Sequence, residues 1–222
     1  MNRIALIAAF PGELKPLVQG WERRGGLFVG HIGPHEAIAA AAGMGADAAV
    51  RACEAVRAQG GVDTLISMGW AGSLSCGLRP PDAVAVREVV DAASGERFAT
   101  GSAQGQRLVT LNHVAAAPEK RRLAEKYQAA LVDMEAGAVA QFARTRGFSF
   151  YCFKGITDGP NDKLPDFARF TGADSQLRMG SFLLWSLLHP QSWSVLGRLG
   201  KNSREAAARL AEMVPRCLAD QP

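Results

Sequence analysis

A chain of 222 residues that is 48% apolar and 21% charged carries enough apolar mass for one sizeable core, which excludes a disordered chain. Its formal charge of +4 comes from scattered Lys and Arg, with short clusters at Arg23-Arg24, Lys120-Arg121-Arg122 and Lys201 to Arg204. No basic stripe interleaved with aromatics is present, so these charges read as solvated surface and a nucleic-acid partner is not expected. Cys53, Cys76, Cys152 and Cys217 lie far apart with no CxxC pair, which argues against a zinc site and a disulfide framework. They read as buried thiols of a reducing compartment. A single Arg precedes a short apolar run ending at Pro11-Gly12, unlike a signal peptide, and a cytoplasmic location is the expectation.

In chain order, Arg3 to Phe10 is a buried-strand run stopped by Pro-Gly, and Glu13 follows its end. Leu27 to Ile32 and Glu36 to Ala42 predict a hairpin turning at Gly33-Pro34. Gly43-Met44-Gly45 closes the second of these strands, and Ala46 to Ala58 predicts a helix whose start can present backbone N–H groups to an anion or a ribose. Thr64 to Met68 is a strand ending in Gly69-Trp70-Ala71-Gly72, and Ala83 to Val90 is another after Pro80-Pro81. Residues Ala92 to Gln106 have no periodicity and read as a loop bordering the site. Then come a strand over Arg107 to Leu111, a helix over Pro118 to Tyr127, a strand over Ala130 to Asp133, a helix over Glu135 to Thr145 and a strand over Phe148 to Thr157.

From about residue 173 the pattern turns helical, with an apolar segment over Ser181 to Leu188 and an amphipathic helix over Ser203 to Leu218. The apolar segment falls short of the roughly 20 residues a membrane span needs. The alternation predicts a single α/β domain over residues 1–222, three-layered, with a mixed, largely parallel central sheet and C-terminal helices.

Glu13, Glu135 and Asp158 each follow a strand closely. In an open α/β sheet such positions converge on the crevice beyond the strands' carboxyl ends. The plainer alternative is that each acid only caps the helix or turn after it.

Gly43-Met44-Gly45-Ala46-Asp47-Ala48-Ala49, Ile66-Ser67-Met68-Gly69-Trp70-Ala71-Gly72, Leu78-Arg79-Pro80-Pro81-Asp82, Val132-Asp133-Met134-Glu135-Ala136 and Ile156-Thr157-Asp158 resemble, in order, the motifs of the nucleoside phosphorylase and nucleosidase superfamily. Within it the chain is most similar to the methylthioadenosine and adenosylhomocysteine nucleosidases and, through Leu187-Leu188-His189-Pro190 and Gly200-Lys201-Asn202-Ser203-Arg204, to the hopanoid-associated branch acting on adenosylhopane.

The resemblance implies cleavage of the N-glycosidic bond of a purine nucleoside, adenine preferred, with a 5′ substituent and no cofactor beyond water or inorganic phosphate as co-substrate. It assigns Asp158 as the acid toward the purine N7 and Glu13 to the attacking water. Glu135 is assigned to the ribose hydroxyls, and Met134 to packing beneath the sugar. Asp133, Gly69, Trp70, Ala71, Val114, Ala115, Thr157, Lys154 and Ala9 are placed in the same substrate site, with Asn112 and His113 as neighbouring candidates for the base. An unperturbed Asp is almost fully ionised at neutrality, so the acid role implies a raised pKa for Asp158.

Three departures stand out. Ser67 and Lys15 occupy stretches where phosphorylases carry phosphate-binding arginines, which favours water as nucleophile over phosphorolysis. Lys154 stands where the nucleosidases place Arg and keeps a point charge for water or phosphate. Trp70 replaces a small residue, which leaves a non-catalytic nucleoside-binding protein as the rival reading. The resemblance also implies a homodimer. A membrane-surface role for Phe182, Leu183, Leu184, Trp185, Leu187, Leu188 and Trp193 is the weaker reading, against burial in the core or an interface.

Overall fold

The computed structural model describes residues 3–162 and 193–219. The apolar segment expected over Ser181 to Leu188, with Leu187 to Pro190, lies outside the described residues. Ten strands and five helices are present among them: β1 (Arg3–Ala8), α1 (Pro11–Leu14), β2 (Glu22–Arg24), β3 (Leu27–Ile32), β4 (His35–Ala41), α2 (Ala46–Arg57), β5 (Val62–Ser73), β6 (Ala83–Asp91), β7 (Arg97–Ala99), β8 (Gln106–Thr110), α3 (Ala117–Tyr127), β9 (Leu131–Asp133), α4 (Ala136–Arg146), β10 (Ser149–Asp158) and α5 (Trp193–Ala219).

All the strands join one mixed sheet in the order β10-β6-β8-β9-β5-β1-β4-β3-β2, with β7 on β6. The parallel pairs are β1–β4, β1–β5, β5–β10, β6–β8 and β8–β9, while β2–β3, β3–β4, β5–β9, β6–β7 and β6–β10 are antiparallel. The sheet is therefore as much antiparallel as parallel. It also closes on itself, because β5 pairs with both β9 and β10, so β5, β10, β6, β8 and β9 form a ring.

Two apolar layers flank the sheet. One packs α2 and α4 against it through Ala49, Ala52, Cys53, Val56, Val139, Ala140 and Ala143. The other packs α1 and α5 through Leu14, Leu210, Val214 and Leu218. Along α5 the buried positions Ser203, Ala206, Ala207, Leu210, Val214 and Leu218 recur at intervals of three and four, the spacing of one helical face. This stripe meets β10 at Gly155, where a Cβ would lie 2.9 Å from the Ala206 Cβ and 3.1 Å from the Leu210 Cδ1. Glycine is thus what lets helix and strand approach.

Length is where sequence and structure part. β5 runs on through Gly69-Trp70-Ala71-Gly72, which was expected to be its terminal turn, because Lys154 to Asp158 continue to pair with it. The expected loop of residues 92–106 contains β7, and none of it lines the main cavity. Of the cysteines expected to be buried, Cys53 and Cys152 are, each thiol pushed up to about 12 by burial first of all, but Cys76 is exposed. No helix among the described residues is long and apolar enough to cross a membrane.

Candidate active site

A cavity of about 480 Å³ opens beyond the ends of β1, β5 and β10, and Glu13, Glu135 and Asp158 all line it. Glu13 and Asp158 arrive as expected, one just after β1 and the other at the end of β10. Glu135 arrives differently, because β9 is antiparallel to β5, with Val132 opposite Gly72 and Leu131 opposite Ser73. Its carboxyl end therefore runs back toward Trp70 and meets the other two acids from the opposite side. Ring closure, rather than a parallel sheet, brings the third acid in.

Glu13 is 3% exposed and its carboxylate is held by backbone N–H groups. Ala9 and Phe10 donate to Oε2 at 2.7 and 2.9 Å, and Trp70 donates to Oε1 at 2.9 Å. Capping of α1 is thus real for Glu13, yet a carboxylate has about four acceptor positions, and three bonds leave one on Oε1. Gly69 does not line the cavity; a Cβ there would sit 2.9 Å from the Glu13 Oε1, so its role is to leave room for that carboxylate. Burial pushes the Glu13 pKa up, against the lowering pull of the N–H donors and of Lys154.

Glu135 is the N-cap residue of α4, but its side chain makes no capping bond. That of Asp133 does, accepting from the Ala136 N–H at 2.9 Å. Glu135 instead accepts from the Gly45 N–H at 2.7 Å through Oε1 and from the Met134 N–H at 3.3 Å through Oε2. The glycine turn expected to offer an N–H to a ligand offers it here to Glu135. Burial and then the neighbouring Asp133 raise the Glu135 pKa to about 7, with Lys154 and the Gly45 N–H opposing.

Two lysines organise these acids. Lys154 is 2% exposed and absent from the cavity wall; its Nζ contacts Asp133 Oδ2 at 2.8 Å and donates to the Ser67 Oγ at 3.1 Å. Burial alone would lower its pKa, but Asp133, Cys152 and Glu135 outweigh that and raise it. It is a buried counter-charge to the acids. Asp133, whose side chain is fully enclosed, spends its carboxylate on Lys154, Ala136 and the Thr110 hydroxyl at 2.7 Å. It lines the cavity with the other residues expected there, while its carboxylate is held by these three partners.

Lys120, assigned to the solvated surface from sequence, is 1% exposed and points into the cavity wall. Its Nζ donates to Asp158 Oδ2 in a very short contact and to the Gly159 carbonyl at 2.7 Å, while the Thr157 hydroxyl donates to Asp158 Oδ1 at 2.8 Å. The turn after β10 is capped by Asp162, which accepts from the Gly159 N–H at 2.7 Å, so Asp158 is not spent on capping. The available signal for Lys120 was the helical spacing that puts it in register with Leu123, Ala124 and Tyr127, which pack in one apolar cluster.

Ala9, Trp70, Ala71, Met134, Val114, Ala115 and Thr157 complete the wall as expected. His113 also lines it, with its ring nitrogens on Asn112 and Glu119 at 2.8 and 2.9 Å. Trp70 is held in place by the Phe10 ring at 5.9 Å and by an Nε1–H bond of 3.0 Å to the Ser203 carbonyl of α5. Leu199 and Ser203 of that helix, neither predicted, form part of the wall, and Asn202 anchors α5 by donating to the Thr157 carbonyl at 2.9 Å.

An α/β fold with three carboxylates around one largely apolar cavity at the strand ends has the form of a candidate site for a small ligand. The family model described as the phosphorylase superfamily matches residues 3–127 and 110–184, and the chain belongs to that superfamily, as an N-glycosidic bond-cleaving enzyme. Among solved structures it is similar to a Helicobacter pylori MTAN mutant with 5′-methylthioadenosine in the active site, at TM-score 0.73 and 15% identity over 100% of both chains. It is also similar to the futalosine hydrolase of Helicobacter pylori, at TM-score 0.72 and 16% identity over 99% of this chain and 98% of that one. A third is the S. pneumoniae 5′-methylthioadenosine/S-adenosylhomocysteine nucleosidase with a transition-state inhibitor, at TM-score 0.71 and 20% identity over 96% of each chain. At these identities the likeness is one of fold. No curated protein matches the chain.

Proposed function

We propose that the protein hydrolyses the N-glycosidic bond of a purine nucleoside, with adenine as base and a substituent at the 5′ carbon. The observation that carries this reading is the set of three carboxylates, Glu13, Glu135 and Asp158, around one cavity of about 480 Å³. Glu135 accepts the ribose hydroxyls, since two carboxylate oxygens suit a vicinal diol. Met134 packs under the sugar, and Val114 and Ala115 pack against the base. Glu13 uses its remaining acceptor position to orient water opposite the departing base, and Asp158 supports the leaving purine. Water is favoured over phosphate because the described wall carries no guanidinium, and its lysine, Lys120, is already committed to Asp158.

A panel of purine nucleosides with varied 5′ groups, assayed with and without phosphate, tests this. A free 5′-substituted ribose and base release independent of phosphate are expected. Ribose 1-phosphate formed only with phosphate would overturn the hydrolytic reading, and ligand-induced thermal stabilisation without base release would replace catalysis by binding.

The Glu135 role also predicts a pH dependence. With a pKa of about 7, against an ordinary 4.5, the free carboxyl is largely protonated at about pH 6 and ionised at about pH 8. A diol donating to it favours the ionised form, so nucleoside binding should release protons below about pH 7 and tighten as pH rises to that value. Glu135→Gln should flatten this profile and weaken binding by about 10- to 100-fold, the worth of one charge-assisted hydrogen bond at about 1.5–3 kcal/mol. Calorimetric titration in two buffers of different ionisation enthalpy reads both effects; wild-type affinity constant across this range would refute the assignment.

A further inference from the structure

The Lys120–Asp158 pair is built into the cavity wall rather than left on the surface. Lys120 projects from α3, which packs through Leu123 in the cluster with Val109 and Val132, and its Nζ reaches across to the end of β10. Gly72 of β5 makes the space: a Cβ there would lie 3.0 Å from Asp158 Oδ2 and 3.2 Å from the Lys120 Nζ. A backbone group, the Gly159 carbonyl, also holds the ammonium, at 2.7 Å. Among the described residues, Asp158 thus has one cation at one oxygen and a neutral hydroxyl, that of Thr157, at the other. Both Lys120 and Asp158 face the cavity.

Resting on the reading of this cavity as a site of nucleoside cleavage, we propose that Lys120 is the positioning residue that supplies Asp158 with the proton it hands to the leaving purine. As the C–N glycosidic bond breaks, its electron pair stays on the ring nitrogen and the base takes a proton at N7. That proton passes from the Lys120 ammonium to Asp158 Oδ2 and on to the base, leaving a neutral amine. The proton lost by the attacking water, taken up first by Glu13, restores the ammonium after the products leave, so one water is consumed and no other reactant is needed.

A purine nucleoside methylated at N7 departs without protonation, and comparing it with the unmethylated nucleoside isolates this function. For Lys120→Met, kcat on the ordinary nucleoside is expected to fall by about 100-fold or more, the usual worth of a general acid, while kcat on the N7-methylated nucleoside falls by less than about 10-fold. The double variant Lys120→Met with Asp158→Asn removes both buried charges together and keeps the fold testable. It should show the same selective loss and be no slower than Asp158→Asn alone, because the two residues act in series. Equal losses on both nucleosides in variants that melt like the wild type, or an unchanged kcat on the ordinary nucleoside, would overturn the proposal. A wild-type protein that releases base from neither nucleoside would remove the enzymatic reading itself, and this proposal with it.

Discussion

Asp158→Asn is expected to slow base release by about 100- to 10,000-fold while leaving nucleoside binding measurable. Asn keeps an oxygen to accept from Lys120 but cannot carry a proton between the ammonium and the base. The substitution also leaves Lys120, 1% exposed, facing a neutral partner, so some loss of stability accompanies it. Rates must therefore be taken on protein shown to be folded by a thermal melt, with binding measured by ligand-induced shift of that melt. Turnover within about threefold of wild type would remove Asp158 from the reaction, since even the low end of general-acid contributions lies near 100-fold.

The second large effect is one of stability. Lys154→Met removes the cation shared by Asp133, Glu135 and Glu13, and leaves the enclosed Asp133 carboxylate without its counter-charge. Breaking a buried pair from one side costs about 3–5 kcal/mol. In a chain of this length each kcal/mol is worth about 2–4 °C of melting temperature, so a fall of about 6–20 °C is expected.

The pH dependence has a definite sign. The folded-state pKa of Lys154 is raised, so its stabilisation is fully present at neutral pH and is lost only as pH rises through that elevated value. In the variant the deficit should shrink on acidification, as Glu135, already raised to about 7, takes up its proton and fewer uncompensated charges remain. Lys154→Met with Asp133→Asn should recover part of the loss. A single variant melting within about 2 °C of wild type would show that the charge cluster is not held by Lys154.

The amino-acid sequence by itself determined the alternation of strands and helices, the hairpin at Gly33-Pro34, the stripe of α5 and the location of Glu13 and Asp158 at the ends of strands. These follow from local chemistry: apolar period, Gly and Pro punctuation, and an acid at the end of a strand. The ordered motifs of the sequence also contain part of the cavity wall, Trp70, Ala71, Asp133, Met134, Glu135, Thr157 and Asp158, but not Phe10, Lys120 or Leu199.

Only the tertiary structure decided how the charges pair. Lys120 lies in a run that is basic in sequence, and only the packing of α3 turns its side chain away from solvent toward Asp158. Lys154 and Asp133 are separated by 21 positions and meet because β9 and β10 are both paired with β5. That ring closure also carries Glu135 in from the end opposite to the other acids. Strand pairing and burial are long-range properties, and local pattern does not encode which distant side chain becomes the counter-charge of which acid.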